Sequence, residues 1–262
     1  MPLLPITIHT LAAQYYEAEV TRTPLPPISA AHPDITLRDA YLIQEALVLI
    51  MMGEGWTTTG IKVGATKKPV QEKFGTGGPV CSVMFRERQT KNGGKVATAK
   101  LIQPKIEPEI AFRMGRQLSG PGITRADALA AVGGVMGAFE IVDCHTEDWK
   151  IGAAELIADN CVNAGYVLGP ERPLDAGLDL AKVTVKFSRN GGAPNLGSGA
   201  AALGDPVAVL VWLANWLAEH DRQLEKDWVV LSGGIADAFA AAPGDRFIAD
   251  YSDLGKVAVS FA

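Results

Sequence analysis

The chain has 262 residues, of which 48% are hydrophobic and 20% are charged. This composition excludes a generally disordered chain, and the length allows one large domain or two smaller ones. The formal net charge of −5 and the lack of a basic stripe argue against a nucleic-acid-binding protein. The three cysteines, Cys81, Cys144 and Cys161, are too widely spaced for a disulfide framework or a CxxC metal site.

The N-terminus lacks the basic region and the long apolar run of a signal peptide. The longest apolar run that we identify, around residues 40–52, contains Gln44 and Glu45 and is too short to span a bilayer. We therefore predict a soluble cytoplasmic protein that keeps its cysteines reduced in the core.

The first part of the chain is predicted to be helical. Apolar residues recur at helical spacing over residues 10–20 and again after Thr36. Thr36 and Asp39 have the spacing of a capping box, and the helix that they open should end near residues 53–55. We predict an N-terminal helical segment over residues 1–59.

From residue 60 onward the sequence predicts mostly strands. This order, helices first and then strands with few helices between them, is typical of an α+β fold and not of a regular βαβ alternation. No GxGxxG follows a first strand and no GxxxxGK[ST] is present, which argues against a dinucleotide-binding or P-loop enzyme. We predict one mixed β catalytic domain over residues 60–262. Strands are expected at 60–64, 80–85, 101–112, 137–143, 180–187, 227–232, 246–251 and 256–261, and helices at 67–74, 124–132 and 206–219.

Two carboxylates in the segment 105–110 are the strongest chemical signal. In a strand, Lys105, Glu107 and Glu109 share one face, and the two carboxylates stand roughly 6–7 Å apart. Burying both as anions is costly unless a cation neutralises them, and a hard divalent ion such as Mg²⁺ or Mn²⁺ suits oxygen ligands. Spacing alone leaves open an exposed strand face with solvated carboxylates. Glu140, inside the apolar run 138–142, favours the metal site because it adds a third carboxylate in a buried setting.

Lys62 lies between apolar residues and glycines in the segment 60–64. It is either a buried functional lysine or a charged guard on an edge strand, and its local context favours the guard. Near a metal ion its pKa would fall, and it would then suit proton transfer. The four histidines form no metal-binding spacing, and only His145 follows Glu140 closely. The glycine runs at 197–199 and 232–234 are either turns or backbone that approaches a ligand.

Taken together, these segments resemble the hydratase/decarboxylase family of aromatic meta-cleavage pathways, within the fumarylacetoacetate hydrolase-like superfamily. The resemblance runs from about residue 36 to the C-terminus with its spacing preserved. It is carried by the segments 60–66 (GIKVGAT), 104–110 (PKIEPEI), 139–143 (FEIVD), 158–160 (ADN), 203–206 (LGDP), 231–234 (LSGG), 243–245 (PGD) and 253–255 (DLG).

The resemblance implies a mixed β-roll with N-terminal and flanking helices and one Mg²⁺ or Mn²⁺ per subunit. It implies that Glu107, Glu109 and Glu140 are the metal ligands and that Lys62 is the active-site lysine. Glu87 is the nearest match to an acidic residue that many members carry, although theirs is usually Asp.

The resemblance also implies contacts around the metal. Substrate-binding positions are expected at Gly64, Arg86, Ser232 and Gly233, and supporting positions behind the ligands at Asp159 and Asn160. Arg86 or Arg88 could bind a second substrate carboxylate or be plain surface charge. Family members tend to form homo-oligomers, and a pathway decarboxylase or hydratase could be a partner.

The implied activity is a metal-dependent hydratase that adds water to a 2-hydroxy-2,4-dienoate and yields a 4-hydroxy-2-oxo acid. The alternative within the family is a 4-oxalocrotonate decarboxylase, since both reactions use the same electron sink. A C–C bond hydrolase is less favoured, since that chemistry needs a water-activating Glu/His pair near the metal and the sequence offers no clear one. A non-catalytic partner subunit is also less favoured, because Glu107, Glu109, Glu140 and Lys62 are all present.

Overall fold

The computed structural model describes residues 2–175 and 177–262. Its helices are α1 (Pro5–Thr21), α2 (Ile28–Ala31), α3 (Leu37–Gly53), α4 (Lys68–Phe74), α5 (Arg125–Ala131), α6 (Ala153–Ala158) and α7 (Pro206–Ala218). Its strands are β1 (Thr58–Gly64), β2 (Val80–Phe85), β3 (Gln89–Thr90), β4 (Lys95–Val96), β5 (Lys105–Met114), β6 (Val132–Val142), β7 (Asn163–Leu168), β8 (Thr184–Arg189), β9 (Asn195–Ser198), β10 (Val229–Leu231), β11 (Phe239–Ala240), β12 (Arg246–Tyr251) and β13 (Gly255–Phe261).

Helices α3 and α5 begin at the residues that the sequence predicted, because capping side chains fix their first turns. The Thr36 hydroxyl accepts a hydrogen bond from the Asp39 backbone amide, and the Asp39 carboxylate accepts one from the Thr36 amide. Thr124 and Asp127 form the same capping box at the start of α5. Each box satisfies amide groups that the first helical turn leaves unpaired.

Several boundaries differ from the prediction. The long strand predicted from residue 101 begins at Lys105, and residues 180–182 form a 3₁₀ turn ahead of β8. Helix α6 and strand β7 were missed. Nearly all their residues are buried, so neither shows the polar and apolar alternation that marks an amphipathic element.

The strands form two sheets. The larger has the order β2-β1-β10-β5-β6-β7-β3, with β11 also paired to β5, and the smaller has the order β4-β13-β12-β8-β9. Both mix parallel and antiparallel pairs. The main hydrophobic core lies where the two sheets meet, with Phe139, Phe187 and Phe247 in contact across it. The predicted α+β class is confirmed.

A second hydrophobic core joins the N-terminal helices to the rest of the chain. Ile43 and Leu47 of α3 are buried in a cluster with Val83 and Phe85 of β2 and with Ile157 of α6. The helices thus cover the outer side of β2. The boundary between residues 59 and 60 stays a prediction.

The expectation about the longest apolar run was wrong. Residues 199–218, and not 40–52, form the stretch that is long and apolar enough to cross a membrane by length and composition. Only 13 of these residues, Pro206–Ala218, form the α-helix α7, and a spanning helix needs about 20. Val209, Leu210 and Leu213 of α7 are fully buried in the main core. Helix α7 is therefore the core helix of a folded domain.

Candidate metal centre and active site

Three glutamates meet on one face of the larger sheet. Glu107 and Glu109 are two residues apart on β5, and the antiparallel register places Glu140 of β6 directly opposite Glu107. One carboxylate oxygen from each lies within 4.8 Å of the others. Glu109 and Glu140 are buried, and Glu107 is partly exposed. The alternative of a solvated strand face was therefore wrong.

This arrangement is electrostatically unfavourable without a cation. Like charges directly opposite each other on a sheet destabilise it. Burial and the neighbouring charge of Glu140 raise the pKa of Glu107. Burial and the charges of Glu140 and Glu107 raise the pKa of Glu109 well above its usual range. A site that keeps these groups ionised must supply positive charge.

Lys62 supplies part of that charge. Its Nζ lies 3.1 Å from Glu140 Oε1, and its residue is only 4% exposed. β1 lies between β2 and β10, so the proposal of an edge-strand guard was wrong. Burial lowers the pKa of Lys62, but Glu140, Glu109 and Glu107 outweigh it, and the pKa is raised above its usual value.

A glycine lets β1 approach β10 closely at this point. A Cβ atom on Gly60 would lie 1.9 Å from the carbonyl oxygen of Val229. Only glycine therefore fits the register that places Lys62 beside Leu231 at the end of β10.

Three further residues fix the glutamates. Asn163 Nδ2 donates to Glu140 Oε1 over 2.7 Å, and the Gly233 amide donates to Glu109 Oε2 over 2.7 Å. The Tyr251 hydroxyl, from the smaller sheet, lies 2.8 Å from the carbonyl oxygens of both Glu109 and Ala138 and donates to them. The sequence analysis missed Asn163 and Tyr251, since no motif contains them and only the folded register brings them to the glutamates.

The donor set fits a hard divalent cation. Glu109 Oε1 is buried and has no hydrogen-bond partner among residues 2–175 and 177–262. An unpaired buried carboxylate oxygen is costly and needs an explanation. An ion held by Glu107, Glu109 and Glu140 explains it, because Mg²⁺ and Mn²⁺ prefer oxygen ligands at near-octahedral geometry with open positions for water or substrate.

Replacing Gly234 with alanine should weaken metal binding without unfolding the protein. The new Cβ would lie 2.5 Å from Glu107 Oε2 and 3.2 Å from its Cδ, so the carboxylate must turn away. A mutation that disturbs the orientation of a metal ligand typically lowers metal affinity about 10–100-fold. Isothermal titration with Mn²⁺ measures this, with Gly78→Ala as the control because a Cβ there meets no described residue within 4 Å. Equal affinities of the wild type and Gly234→Ala would contradict the placement of Glu107 at the metal.

The glutamates and Lys62 line a cavity of about 270 Å³, which we call the Lys62 pocket. Its apolar wall contains Val70, Phe74, Val142, Trp149 and Leu156. Its full lining is Lys62, Gly64, Ala65, Thr66, Lys67, Val70, Lys73, Phe74, Val80, Lys105, Glu107, Glu109, Glu140, Val142, Trp149, Leu156, Val162, Gly234, Ala236, Asp237 and Ala238. The pocket therefore combines a polar floor with an apolar wall, as small-molecule sites do.

The predicted substrate contacts divide into two groups. Gly64 lines the Lys62 pocket. Gly233 and Ser232 do not: the Gly233 amide bonds to Glu109, and the Ser232 amide bonds to the carbonyl oxygen of Ile110. The structure thus places Ser232 and Gly233 behind the carboxylates, where they support the floor of the pocket.

Arg86 and Glu87 lie outside the Lys62 pocket. Both are exposed on a 3₁₀ turn after β2, and the Glu87 carboxylate accepts a hydrogen bond from the Thr57 amide. Arg88 pairs with Glu19 and lies over the Trp56 ring. The structure does not bring Glu87, Arg86 or Arg88 to the three glutamates, and their predicted roles at the substrate find no support in this pocket. The turn directly follows β2 in the sequence, but that position did not reveal that the turn lies outside the Lys62 pocket.

Asp159 and Asn160 also bond away from the glutamates. Asn160 pairs through its side-chain amide with both backbone groups of Val83 in β2. The Asp159 carboxylate bonds to the His145 ring and to the His145 amide. Their contacts stabilise β2 and the chain after β6, which is a structural role.

His145 is the centre of a buried charge network. Its Nε2 lies 2.9 Å from Glu19 Oε2 of α1, and its Nδ1 bonds to Asp159. Arg88 adds a second cation, 2.7 Å from the same Glu19 oxygen. Burial lowers the pKa of His145, but Asp159 and Glu19 outweigh it and raise the pKa to about 10. Burial raises the pKa of Glu19, but His145 and Arg88 lower it to about 2.

We expect this network to stabilise the fold most strongly near pH 5–6. The raised pKa of His145 contributes stability that is fully present below its ordinary value of 6.5 and is lost as pH rises towards 10. The lowered pKa of Glu19 contributes stability that is present above 4.5 and is lost as pH falls towards 2. His145→Gln should therefore cost about 3 kcal/mol near pH 5.5 and clearly less at pH 9.5.

Urea unfolding of the wild type and of His145→Gln at both pH values measures this difference. His9→Gln, at an exposed position on α1 without a carboxylate partner among the described residues, is the control. A cost for His145→Gln that does not change between the two pH values would contradict the network.

Comparison with known proteins places the chain in a family. The fumarylacetoacetate (FAA) hydrolase C-terminal family matches residues 63–262, and the chain belongs to it. The resemblance predicted from the sequence and the predicted mixed β-roll type are thereby confirmed.

Its relatives narrow this class to a group of lyases. The chain is 36% identical over 256 residues to 2-hydroxyhexa-2,4-dienoate hydratase of Comamonas testosteroni and 34% identical over 262 residues to 2-oxo-hept-4-ene-1,7-dioate hydratase of Escherichia coli, with 97% of each chain covered in both cases. Its structure matches 4-oxalocrotonate decarboxylase of Pseudomonas putida G7, solved with magnesium and adipate, at a TM-score of 0.95 with 30% identity and 99% of each chain covered. The chain therefore belongs to the hydratase and decarboxylase group.

Proposed function

We propose that the protein is a divalent-metal-dependent hydratase that adds water to a 2-hydroxy-2,4-dienoate and yields a 4-hydroxy-2-oxo acid. The observation that carries the proposal is the cluster of Glu107, Glu109 and Glu140 beside Lys62 at the floor of a substrate-sized pocket. Similarity to two hydratases over 97% of the chain supports it.

The three glutamates would hold the ion, and Mg²⁺ or Mn²⁺ suits their hard oxygen donors. When bound, the ion supplies Lewis-acid polarisation of the carboxylate and C2 oxygen of a 2-oxo acid. The structurally similar decarboxylase was solved with magnesium, which supports a divalent ion here.

Lys62 is the group that moves the proton in this proposal. Lys62 lines the pocket and its Nζ lies 3.1 Å from Glu140 Oε1, so the amine sits at the edge of the ligand cluster. A positioned acid or base typically contributes about 10²–10⁴-fold to a rate. The side-chain amide of Asn163 donates to Glu140 Oε1, the same oxygen that Lys62 approaches, and so holds this carboxylate in place.

The apolar wall accommodates the hydrocarbon part of the substrate. The wall consists of apolar side chains that form no hydrogen bonds, namely Val70, Phe74, Val142 and Leu156. Contact with an apolar diene is therefore more favourable for them than contact with water. The wall therefore orients the conjugated chain while the floor holds its oxygen atoms.

A decarboxylase is the second candidate. The observation that favours it is the structural match to 4-oxalocrotonate decarboxylase over 99% of both chains. Loss of CO₂ from a vinylogous 2-oxo acid needs the same ion and the same stabilisation of an enolate. The two activities therefore share the floor of the pocket and differ in what holds the far end of the substrate.

An assay distinguishes the two candidates. The protein is incubated with 2-hydroxypenta-2,4-dienoate and with 4-oxalocrotonate, each with Mg²⁺, with Mn²⁺ and with EDTA. Loss of the dienoate chromophore without CO₂ release, abolished by EDTA, is the result that we expect. Release of CO₂ from 4-oxalocrotonate would establish the decarboxylase instead. Silence on both substrates with the metal bound would contradict both candidates.

We further propose a soluble, cytoplasmic homo-oligomer. Several large apolar side chains of α1 and α3 are exposed, among them Ile6 at 70% and Leu49 at 64%. Helices that expose several large apolar side chains can bury them against another subunit. Light scattering of the purified protein measures the number of subunits, and a monomer at all concentrations would contradict the proposal. A hydratase or decarboxylase partner stays a prediction.

A further inference from the structure

Trp149, in the wall of the Lys62 pocket, lies in a strained turn. Asp148 and Trp149 both have left-handed backbone angles, with φ values of 56° and 55°. A bulky side chain rarely adopts this conformation, and such strain persists only where the surrounding contacts enforce it. Trp149 is partly exposed and lines the pocket. The strain therefore indicates that the position of this ring matters at the site.

Contacts from the chain ahead of β5 fix the ring. Trp149 Nε1 donates to the carbonyl oxygen of Gln103 over 3.0 Å. Gln103 is fixed in turn, because its backbone amide donates to Asp143 Oδ1 over 2.7 Å and its side chain donates to the carbonyl oxygen of Cys144 over 2.8 Å. The ring is thus held against the start of β5, the strand that carries two of the three glutamates.

The Trp149 ring has a cation over its face. Lys105 Nζ lies 3.5 Å from the centre of the ring. At this distance the ammonium is attracted by the negative face of the indole. Within the described part of the chain, Lys105 forms no ion pair with a carboxylate. The aromatic ring is therefore what holds the ammonium of Lys105.

A carboxylate lies within reach of the same lysine. Lys105 precedes Glu107 by two residues on one face of β5, about 7 Å along the strand, and both line the Lys62 pocket. The flexible four-carbon stem of a lysine can cover that distance. Burial and Glu140 raise the pKa of Glu107, and the charge of Lys105 opposes them, so the two groups are within electrostatic range. Without the ring, electrostatics would favour an ion pair between Lys105 and Glu107.

Such an ion pair would compete with a metal ion. An ammonium that donates to a carboxylate occupies the oxygen atoms that a divalent cation needs, and it places a like charge beside that cation. Glu107 is partly exposed, whereas Glu109 and Glu140 are buried. The Glu107 carboxylate is therefore the one that a lysine at the pocket mouth can reach.

We propose that Trp149 is a positioning residue that holds the Lys105 ammonium away from Glu107 and so keeps this carboxylate available to the divalent ion. It acts through Lys105 and needs no contact with the ion or with a substrate. The proposal rests on the metal site of the proposed function and not on the reaction, so it applies to a hydratase and a decarboxylase alike.

A double-mutant cycle on Mn²⁺ affinity tests the proposal. Trp149→Leu releases the ammonium, and we expect it to lower the affinity about 10-fold, as disturbance of a metal ligand does. In the Lys105→Met background the ammonium is absent, so the same replacement should lower the affinity less than about 2-fold. Lys105→Met alone should raise the affinity by no more than about 5-fold, because Lys105 is partly exposed and its charge is screened. Isothermal titration of the four proteins measures these values.

A second tryptophan provides a matched control. Trp56 is also partly exposed and has a cation over its ring, with Arg88 at 5.0 Å, but it lies outside the Lys62 pocket. Trp56→Leu should therefore leave Mn²⁺ affinity unchanged. Trp149→Phe keeps an aromatic face for the ammonium and should retain most of the wild-type affinity. Circular dichroism establishes that each variant is folded, and Trp149→Gln replaces Trp149→Leu in the cycle if the latter does not fold.

The outcomes separate this proposal from the proposed function. If Trp149→Leu lowers Mn²⁺ affinity by the same factor with and without Lys105, the ring acts by packing alone, and the positioning role is wrong while the metal site stands. Unchanged affinity in Trp149→Leu would overturn the role in the same way. If the wild type binds no Mn²⁺, the metal site and the positioning role are both wrong. Rescue of Trp149→Leu by Lys105→Met supports the role, whichever substrate the protein turns over.

Discussion

Replacing Lys62 with methionine should abolish most turnover and destabilise the protein when no divalent ion is present. Lys62 Nζ lies 3.1 Å from Glu140, among carboxylates that repel one another. Removing one partner of a buried ion pair typically costs about 3–5 kcal/mol. Loss of a positioned proton donor should lower kcat by about 10²–10⁴-fold.

Thermal unfolding with EDTA and with Mn²⁺ separates the two effects. Mn²⁺ should restore most of the lost stability of Lys62→Met, because the ion neutralises the same three carboxylates, but it should not restore turnover. Lys186→Met is the matched control, since Lys186 is an exposed lysine on strand β8. Wild-type kcat in Lys62→Met would rule out proton transfer by Lys62.

Replacing Glu107 with glutamine should abolish metal-dependent turnover while leaving the fold intact. Glu107 lies directly opposite Glu140 and contributes one of three clustered carboxylates. Loss of a partner that merely supports a ligand costs about 10–100-fold in affinity, so loss of a ligand should cost at least about 100-fold in Mn²⁺ affinity.

The same variant should be slightly more stable than the wild type in EDTA. Glutamine keeps the shape of the side chain but removes a like charge, which relieves repulsion worth up to about 1 kcal/mol. Differential scanning calorimetry and Mn²⁺ titration measure both changes. Glu45→Gln, at an exposed position on α3, is the control. Unchanged Mn²⁺ affinity or unchanged turnover in Glu107→Gln would contradict the metal centre.

The parts of this account that the sequence predicted depend on local chemistry. The capping boxes of Thr36 and Thr124 involve residues three apart, so their geometry follows from the sequence. Glu107 and Glu109 share a face because strand residues alternate. Glu140 attracted attention because a carboxylate in an apolar strand is costly.

The parts that it did not predict depend on contacts between distant residues. The interior position of Lys62 follows from the pairing of β1 with β10, whose residues are far apart in sequence. Tyr251 reaches the carbonyl oxygen of Glu109 from the other sheet, and Asn163 reaches Glu140 from the neighbouring strand. Strand order is set by the whole fold, and local propensity carries little information about it.

Glu87 illustrates a different limit. It was chosen because an acidic residue was expected soon after β2, and it follows that strand directly. In the structure Glu87 lies in the exposed turn after β2, and its side chain accepts a hydrogen bond from the Thr57 amide. A position counted along the chain does not determine which way a turn directs its side chains.

The central claim is that Glu107, Glu109 and Glu140 together hold a divalent ion at the floor of the Lys62 pocket. The most direct measurement is the anomalous scattering of Mn²⁺ in a crystal of the protein grown or soaked with that ion. The account predicts one strong anomalous peak between the three carboxylates, with oxygen ligands at roughly 2.0–2.3 Å. A well-ordered crystal with Mn²⁺ bound elsewhere, or with no peak among these glutamates, would contradict it.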